Sequence, residues 1–456
     1  MEPSSVKRRV VVIGGGLAGI AAAWTLARAD VEVELLEAGD TLGGLAGTVE
    51  ENDAFYPLAY HHILHRDQAL LWFLDQLSLL ERVRWRKIRM LFHLDGKLWN
   101  LADPIDFLRF PMRFTDKLRF ARLMLRTFGK SDWSDWNDRS ATELVDSWGG
   151  PGVREVIFER LSQLKFRMRC DEISGAWLGA RLHFREGSSS LGFIPQTNWT
   201  RELCLGLEQL LKSVHVRART GRRVARIETP GDGKSVRVHT LDGAIFEADR
   251  CVAAIPTDVY RNLVEPDETD GLFSIDYTAI LSGLCTTTQK IDPDFYWMNL
   301  AELRQSCNGI FRLESLNHSI GRPGESCLNF VTHVPSRNDA LFQRSDEEIW
   351  QGFFDDFRSV FGYDVTPRWK KLVRLPLYSP VFHRGYRNPP VRSTSWPQVY
   401  FAGNFRNFPT IASTGTALAS GVEAAEAMLQ DWGQPSAEIS SAISRFRLPS
   451  RPAADD

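Results

Sequence analysis

Hydrophobic residues run without a break through Val10-Val11-Val12-Ile13, stop at three glycines, and resume with helical spacing from Leu17 to Ala29. Four consecutive β-branched residues predict a strand buried on both faces of a parallel sheet. The Ala/Leu-rich run behind the glycines predicts a helix, and Val31 to Leu36 predicts a second strand ending on Glu37. Short alternating segments at Arg223 to Glu228, Ser235 to Thr240 and Ala248 to Ile255 predict strands joined by tight turns. Near the far end, Val399-Tyr400-Phe401-Ala402 repeats the buried-strand pattern, and Ser413 to Leu429 repeats the glycine- and alanine-rich helix.

The stretches between have a different texture. Asp67 is placed to cap a helix running through Leu80, Ser140-Ala141-Thr142-Glu143 forms a capping box ahead of Leu144 to Trp148, and Leu91 to Trp99 reads as a hairpin turning at Asp95-Gly96. Residues Thr278 to Lys290 and Ser326 to Val334 alternate like strands, followed by a helix over 346–361 with Ser345 and Glu348 at its start and Gly362 at its end.

Composition narrows the class. The 456 residues, 43% hydrophobic and 25% charged, make a globular protein with a large core, and 55 Lys and Arg against 57 Asp and Glu give no global bias toward nucleic acid. Cys170, Cys204, Cys251, Cys285, Cys307 and Cys327 lie apart, without the spacing of a zinc site or disulfide framework, so no metal is expected. Buried reduced thiols and a cytoplasmic location are expected instead. The run Val10 to Ala29 contains four glycines, which argues against a membrane span or signal segment.

Gly14-Gly15-Gly16-Leu17-Ala18-Gly19 satisfies G-x-G-x-x-G between a strand and a helix, with the acidic Glu37 about 20 residues on. In that setting Gly14 permits a tight turn, Gly16 lets backbone N–H groups approach a pyrophosphate, and Gly19 lets the helix lie close to the strand. The helix N-terminus faces the phosphates and Glu37 accepts from ribose hydroxyls. Leu42-Gly43-Gly44-Leu45 then places a second glycine pair where backbone can approach from the other side.

Taken with the late Phe401-Ala402-Gly403-Asn404 and Gly415-Thr416-Ala417-Leu418-Ala419-Ser420-Gly421, these motifs resemble the flavin-containing amine oxidase and protoporphyrinogen oxidase superfamily, which also takes in phytoene-desaturase-like enzymes. The resemblance spans residues 10–429. It implies an α/β fold in which a Rossmann-like FAD-binding domain of the GR2 type is joined to an α+β substrate domain. The FAD domain is then discontinuous, 1–65, 206–265 and 393–433; the substrate domain is 66–205, mainly helical, plus 266–392, and 434–456 is a mobile tail. The resemblance implies noncovalent FAD, since no cysteine follows Cys327 to tether it. Implied cofactor contacts are Gly14, Gly16, Leu17, Ala18, Gly19, Glu37, Ala38, Gly43, Gly44, Leu45, His62, Val224, Gly403, Asn404, Thr416 and Ala417. Val224 would meet adenine through its backbone, Gly403 and Asn404 the pyrophosphate and ribityl chain, and the N-terminus at Thr416 and Ala417 flavin N1 and O2, where its partial positive charge is favourable. Many amine oxidases have G-G-R where this chain has Gly43-Gly44-Leu45, which weakens an amine-oxidising reading.

Ala59 to Asp67 resembles, locally, the G-x-H-I-F-H segment of UDP-galactopyranose mutases, with His62 and His65 on its two histidines. That makes His62 the candidate catalytic residue, a neutral imidazole beside the flavin; packing at a domain junction is the alternative for His61 and His65. Lys165 and Lys290 are candidates to hold a water at the flavin, and Tyr296, Trp297, Tyr378 and Tyr386 to wall a substrate site. In 105–126, Arg119, Arg122 and Arg126 share one helical face among apolar residues, a candidate for peripheral membrane contact. The reading is an FAD-dependent oxidoreductase taking a hydride from a C–N or C–C bond of an apolar organic substrate, with oxygen or another electron acceptor. A non-redox mutase acting on a sugar nucleotide or polyprenyl-linked substrate, and an FAD-stabilised binding protein, are the alternatives.

Overall fold

The computed structural model describes residues 7–184, 190–230, 233–265, 275–301, 306–435 and 438–448. Within them Arg9–Ile13 forms the middle of a five-stranded parallel sheet in the order Val399–Phe401, Arg250–Ala253, Arg9–Ile13, Glu32–Leu36, Arg217–Arg219. The β-branched run explains the position: Val10 to Ile13 are all buried, as a central strand covered on both faces requires. The first helix, Leu17–Arg28, buries every residue from Leu17 to Leu26. It lies so close to its strand that a Cβ on Gly19 would stand 1.8 Å from the Gly14 carbonyl oxygen. The late helix, Thr414–Asp431, crosses the first at a similar approach, with Gly421 against the Ala18 carbonyl.

Strands Val224–Glu228, Val236–Thr240 and Ile245–Ala248 form a small antiparallel sheet leading back to Arg250–Ala253. The largest sheet has seven strands in the order Trp369–Pro380, Tyr277–Thr287, Ser326–Val334, Gly309–Arg312, Trp297–Leu300, Met90–Leu94, Lys97–Trp99. The Asp95-Gly96 hairpin supplies its last two strands, both turn residues having positive φ (53° and 69°). Alternation in Tyr277–Thr287 and Ser326–Val334 does not become alternating exposure: both strands are buried throughout. One face is covered by the helix Asp346–Phe361, whose Phe353 stacks on Phe330 at 5.5 Å and lies on Gly283; Ser345 and Glu348 form its capping box and Gly362 ends it.

Two expectations change. The helix capped by Asp67 ends at Gln76 and not Leu80, because Ser78 takes positive φ (54°) and starts a separate turn. Of the segment expected to be a mobile tail, the described residues 438–448 include a helix, Ile439–Arg445, with Ile439 and Ile443 buried against the core of the parallel-sheet unit; the rest beyond it lies outside the described residues.

Asp67 does more than cap its own helix. It is 4% exposed and accepts from Leu70 N, from Ser413 Oγ (3.1 Å) and from Gly415 N (3.3 Å), so one carboxylate serves the N-termini of two helices. Burial pushes its pKa up while these donors pull it down. Asp67→Ala is expected to cost about 2 kcal/mol, two lost caps, and Asp67→Asn roughly half of that. Thermal melts of the two variants check this; equal melting of Asp67→Ala and the parent would show that the carboxylate does not tie the helices.

Candidate functional site

Two helix N-termini and two glycine turns meet above the parallel sheet. Gly43 N donates to Gly15 O (2.8 Å) and Gly16 bridges Gly43, so the second glycine pair is strapped against the first. Gly14, Gly43 and Gly44 have positive φ (101°, 113° and 56°), which side chains rarely adopt. A Cβ on Gly16 would meet nothing within 4 Å, so the space before the first helix is open. Leu17 and Ala18 bury their side chains and leave only backbone toward that space.

Glu37 closes the groove at the end of its strand. Its Oε2 accepts from Gly15 N and its Oε1 from Gly39 N, both at 2.6 Å, while Ala38 beside it is exposed. Arg222 N donates to Glu37 O (2.7 Å), bringing the start of strand Val224–Glu228 to the same end. On the other side Gly403 (φ 146°) donates to Ser420 Oγ (2.8 Å), and Asn404 Oδ1 accepts from Thr416 Oγ1 (2.8 Å) and Asn407 Nδ2 (3.0 Å). Thr416 and Ala417 stay half-exposed while Thr414, Gly415 and Leu418 are buried, so the first turn of the late helix faces outward only there. Open backbone donors at a helix start, a carboxylate at the strand end and a second helix start opposite fit a dinucleotide.

His62 stands beside an aromatic cluster. Its Nε2 is 2.9 Å from the Tyr296 hydroxyl, and its ring lies about 6 Å from those of Tyr60, Trp297 and Phe311. His65 does not join it: that ring stacks on Trp85 and bonds Ser190 Oγ (3.0 Å). His61 is turned to the Ala59 carbonyl (2.8 Å), its pKa lowered by burial.

Tyr60, Trp297 and Phe311 also wall a cavity of about 970 Å³, mouth included, completed by Phe158, Leu161, Phe166 and Trp177. Lys165 lines it; Lys290 is exposed at the end of its strand, so only one of the two lysines reaches the cavity. Of the tyrosines expected as walls, Tyr378 lies near His333 (ring centroids 5.7 Å), whereas Tyr386 packs on Phe382 and Phe408 and donates to Phe405 O, away from it. Cys170 lines the cavity too, its thiol pushed up to about 12 chiefly by burial.

Polar lining residues that escaped the sequence reading include Arg181, Asn299, Asn308 and His333. Arg181 sits in Gly175–Phe184, a helix whose other residues are apolar or small except for His183 near its end, and that lone guanidinium was the available signal.

Glycine turns at two helix starts that fit a dinucleotide, and an aromatic cavity elsewhere in the fold, are features of a nucleotide-cofactor oxidoreductase. The chain belongs to the flavin containing amine oxidoreductase family, whose sequence model matches residues 17–429. It is therefore an FAD-dependent oxidoreductase. A 15-cis-phytoene desaturase of Glycine max is 22% identical over 463 residues, 92% of this chain and 79% of that protein. Among solved structures, a provisionally assigned protoporphyrinogen oxidase from Exiguobacterium sp. 255-15 aligns with a TM-score of 0.75 at 19% identity, over 93% of this chain and 99% of the other. Reduced UDP-galactopyranose mutase aligns at 0.74 and 14% identity, over 97% and 98%. These two likenesses show a shared fold. Family membership favours oxidoreduction over the mutase alternative.

Proposed function

We propose that the protein oxidises a C–H bond of a largely apolar organic substrate seated in the aromatic cavity, with electrons passing on to oxygen or another acceptor. FAD, bound noncovalently, supplies the two-electron acceptor. On this reading the part that holds it comprises residues 1–65, 206–265 and 393–433, and the part that holds the substrate 66–205 and 266–392. The N–H groups at Gly16, Leu17 and Ala18 bind the pyrophosphate with Gly43, Gly44 and Gly403; Glu37 takes the ribose, Val224 the adenine, and Asn404, Thr416 and Ala417 the flavin end. His62, fixed by Tyr296, orients the aromatic wall at the cavity's flavin side.

The observation that carries the reading is the cavity's lining: rings of Phe158, Phe166, Trp177, Trp297 and Phe311, no carboxylate among the described residues, and the basic side chains of Lys165 and Arg181. A protonated amine would be repelled there, so oxidation of a C–C bond is favoured over that of a charged amine. Anaerobic mixing of the FAD-loaded protein with isoprenoid hydrocarbons, apolar acids and primary amines tests this. Bleaching of flavin absorbance by an apolar compound is expected; bleaching by primary amines alone would overturn it.

We also propose peripheral contact with anionic membrane through 105–126. The structure corrects which face is free. Arg119 pairs with Asp116 (3.0 Å), Arg122 reaches Ser147 O, and Arg126 lies over Trp148, so the three arginines stay exposed but their tips lean back on neighbouring groups. Outward stand Ile105, Leu108, Phe114, Leu118 and Leu125, each 59–74% exposed, beside the exposed Arg109 and Arg113. An apolar face rimmed by cations suits the headgroup boundary. Among the described residues no helix is long and apolar enough to cross a membrane. Co-sedimentation with phosphatidylserine vesicles is expected, and is expected to fall about tenfold or more in Leu108→Glu/Leu118→Glu; vesicle binding that is absent, or unchanged in the variant, would contradict the contact.

A further inference from the structure

Arg406 pairs with Glu423 (3.1 Å), and Arg312 with Glu314 (2.7 Å) and Asp294 (3.0 Å). The basic groups of the cavity differ from these two. Lys165 and Arg181 both line it, and neither has a carboxylate within ion-pair distance among the described residues. Rings stand beside them instead: Lys165 lies over Phe166 and Arg181 over Trp177, each at 5.6 Å. Burial and then the Arg181 charge drive the Lys165 pKa far down, toward the neutral amine.

Three separate elements bring these groups together. Lys165 comes from helix Glu159–Phe166, Arg181 from helix Gly175–Phe184 and His333 from strand Ser326–Val334. His333 is 7% exposed and lines the same cavity; Tyr60 faces its Nε2 at 3.4 Å, and its Nδ1 is buried with no hydrogen-bond partner. Burial, followed by the fields of Lys165, Arg181 and Arg167, keeps this imidazole neutral.

Arg181 is a half-buried guanidinium without an acid, and Lys165, half-buried beside it, is held toward its neutral form for want of an anionic partner. An oxyanion entering the cavity supplies the counter-charge to Arg181 and restores the ammonium of Lys165. We propose that Lys165 and Arg181, with His333 beside them, seat an oxyanion, a carboxylate or a phosphate, at one end of a substrate whose hydrocarbon body lies along Phe158, Leu161 and Phe311. A guanidinium offers a planar fork that matches either oxyanion, and an ammonium adds a point charge beside it. The substrate is then an amphipathic organic acid or an alkyl phosphate, neither a bare hydrocarbon nor an amine. This inference rests on the cavity being the substrate site of the proposed oxidation.

The test is binding, separate from turnover. FAD-loaded protein is titrated with decanoate, decyl phosphate, decan-1-ol and decylamine, and the fluorescence of Trp177 and Trp297 is followed. Decanoate or decyl phosphate is expected to bind about tenfold or more tightly than decan-1-ol, and whichever of the two binds better identifies the headgroup. Lys165→Met and Arg181→Gln are each expected to lose about tenfold for the anion and nothing for the alcohol, and Lys165→Arg to keep the anion. FAD content and melting temperature identify any variant that has simply failed to fold. Alcohol binding as tightly as the anions in the parent, or variants losing both alike, would overturn the seat. Failure of every compound to bleach the flavin while anion binding persists would count against the proposed oxidation and leave the seat standing.

Discussion

Gly421→Val is expected to yield a protein that no longer retains FAD and melts about 5 °C or more below the parent. A Cβ at this position would stand 2.0 Å from the Ala18 carbonyl oxygen and 2.9 Å from Ala22 N, both backbone atoms of the first helix. Backbone cannot swing aside as a flexible side chain does, so the two helices must part, at about 3 kcal/mol or more. Ala18 belongs to the first turn of its helix, next to the open space at Gly16, so the displacement arrives where the pyrophosphate is to bind. Gly129→Ala is the control: its Cβ would meet nothing within 4 Å, and alanine there is expected to be neutral or slightly stabilising. FAD content and thermal melts of both variants check the contrast; a fully loaded Gly421→Val protein would contradict the close helix crossing.

Glu37→Gln is expected to weaken FAD binding about 100-fold, some 3 kcal/mol, with a much smaller effect on the fold. Both carboxylate oxygens are engaged by backbone N–H groups, Gly15 on one side and Gly39 on the other, and each keeps a lone pair toward the groove. An amide turns one of these acceptors into a donor, which then faces an N–H group. The loop that presents the glycine turn loosens and a ribose acceptor is lost in the same change. Glu37→Asp keeps the charge but shortens the reach, and an intermediate loss of about tenfold is expected. Equilibrium titration of the apoprotein with FAD measures all three proteins; equal affinities would remove Glu37 from the binding site.

What could be read before folding was what is local. The strand, glycine turn, helix and second strand from Arg9 to Leu36 are consecutive, and two of the glycines have a steric reason close in sequence, Gly19 against Gly14 and Gly15 against Glu37, whereas Gly14 abuts the distant Ala254. The Asp95-Gly96 hairpin was equally visible, but its partner was not: Met90–Leu94 pairs in parallel with Trp297–Leu300, some 200 residues on, and no local pattern encodes that register. Asp67 could be read as a helix cap, whereas its hold on Gly415 comes from the packing of two helices far apart in the chain. The arginine periodicity at 119, 122 and 126 was correctly helical, yet periodicity alone does not say which stripe meets Ser147 and Trp148. The cavity was the least legible part. Tyr60, Lys165, Arg181 and His333 share no motif, and their meaning arises only where a strand and two helices converge without an acid between them.

The central claim, an FAD enzyme whose cofactor sits between the glycine turns and the late helix, is tested most directly by the absorbance spectrum of the purified protein, recorded before and after heat release of any chromophore. The account predicts the two bands of oxidised flavin, passing entirely into the supernatant as FAD. A colourless protein that also fails to take up added FAD would contradict it.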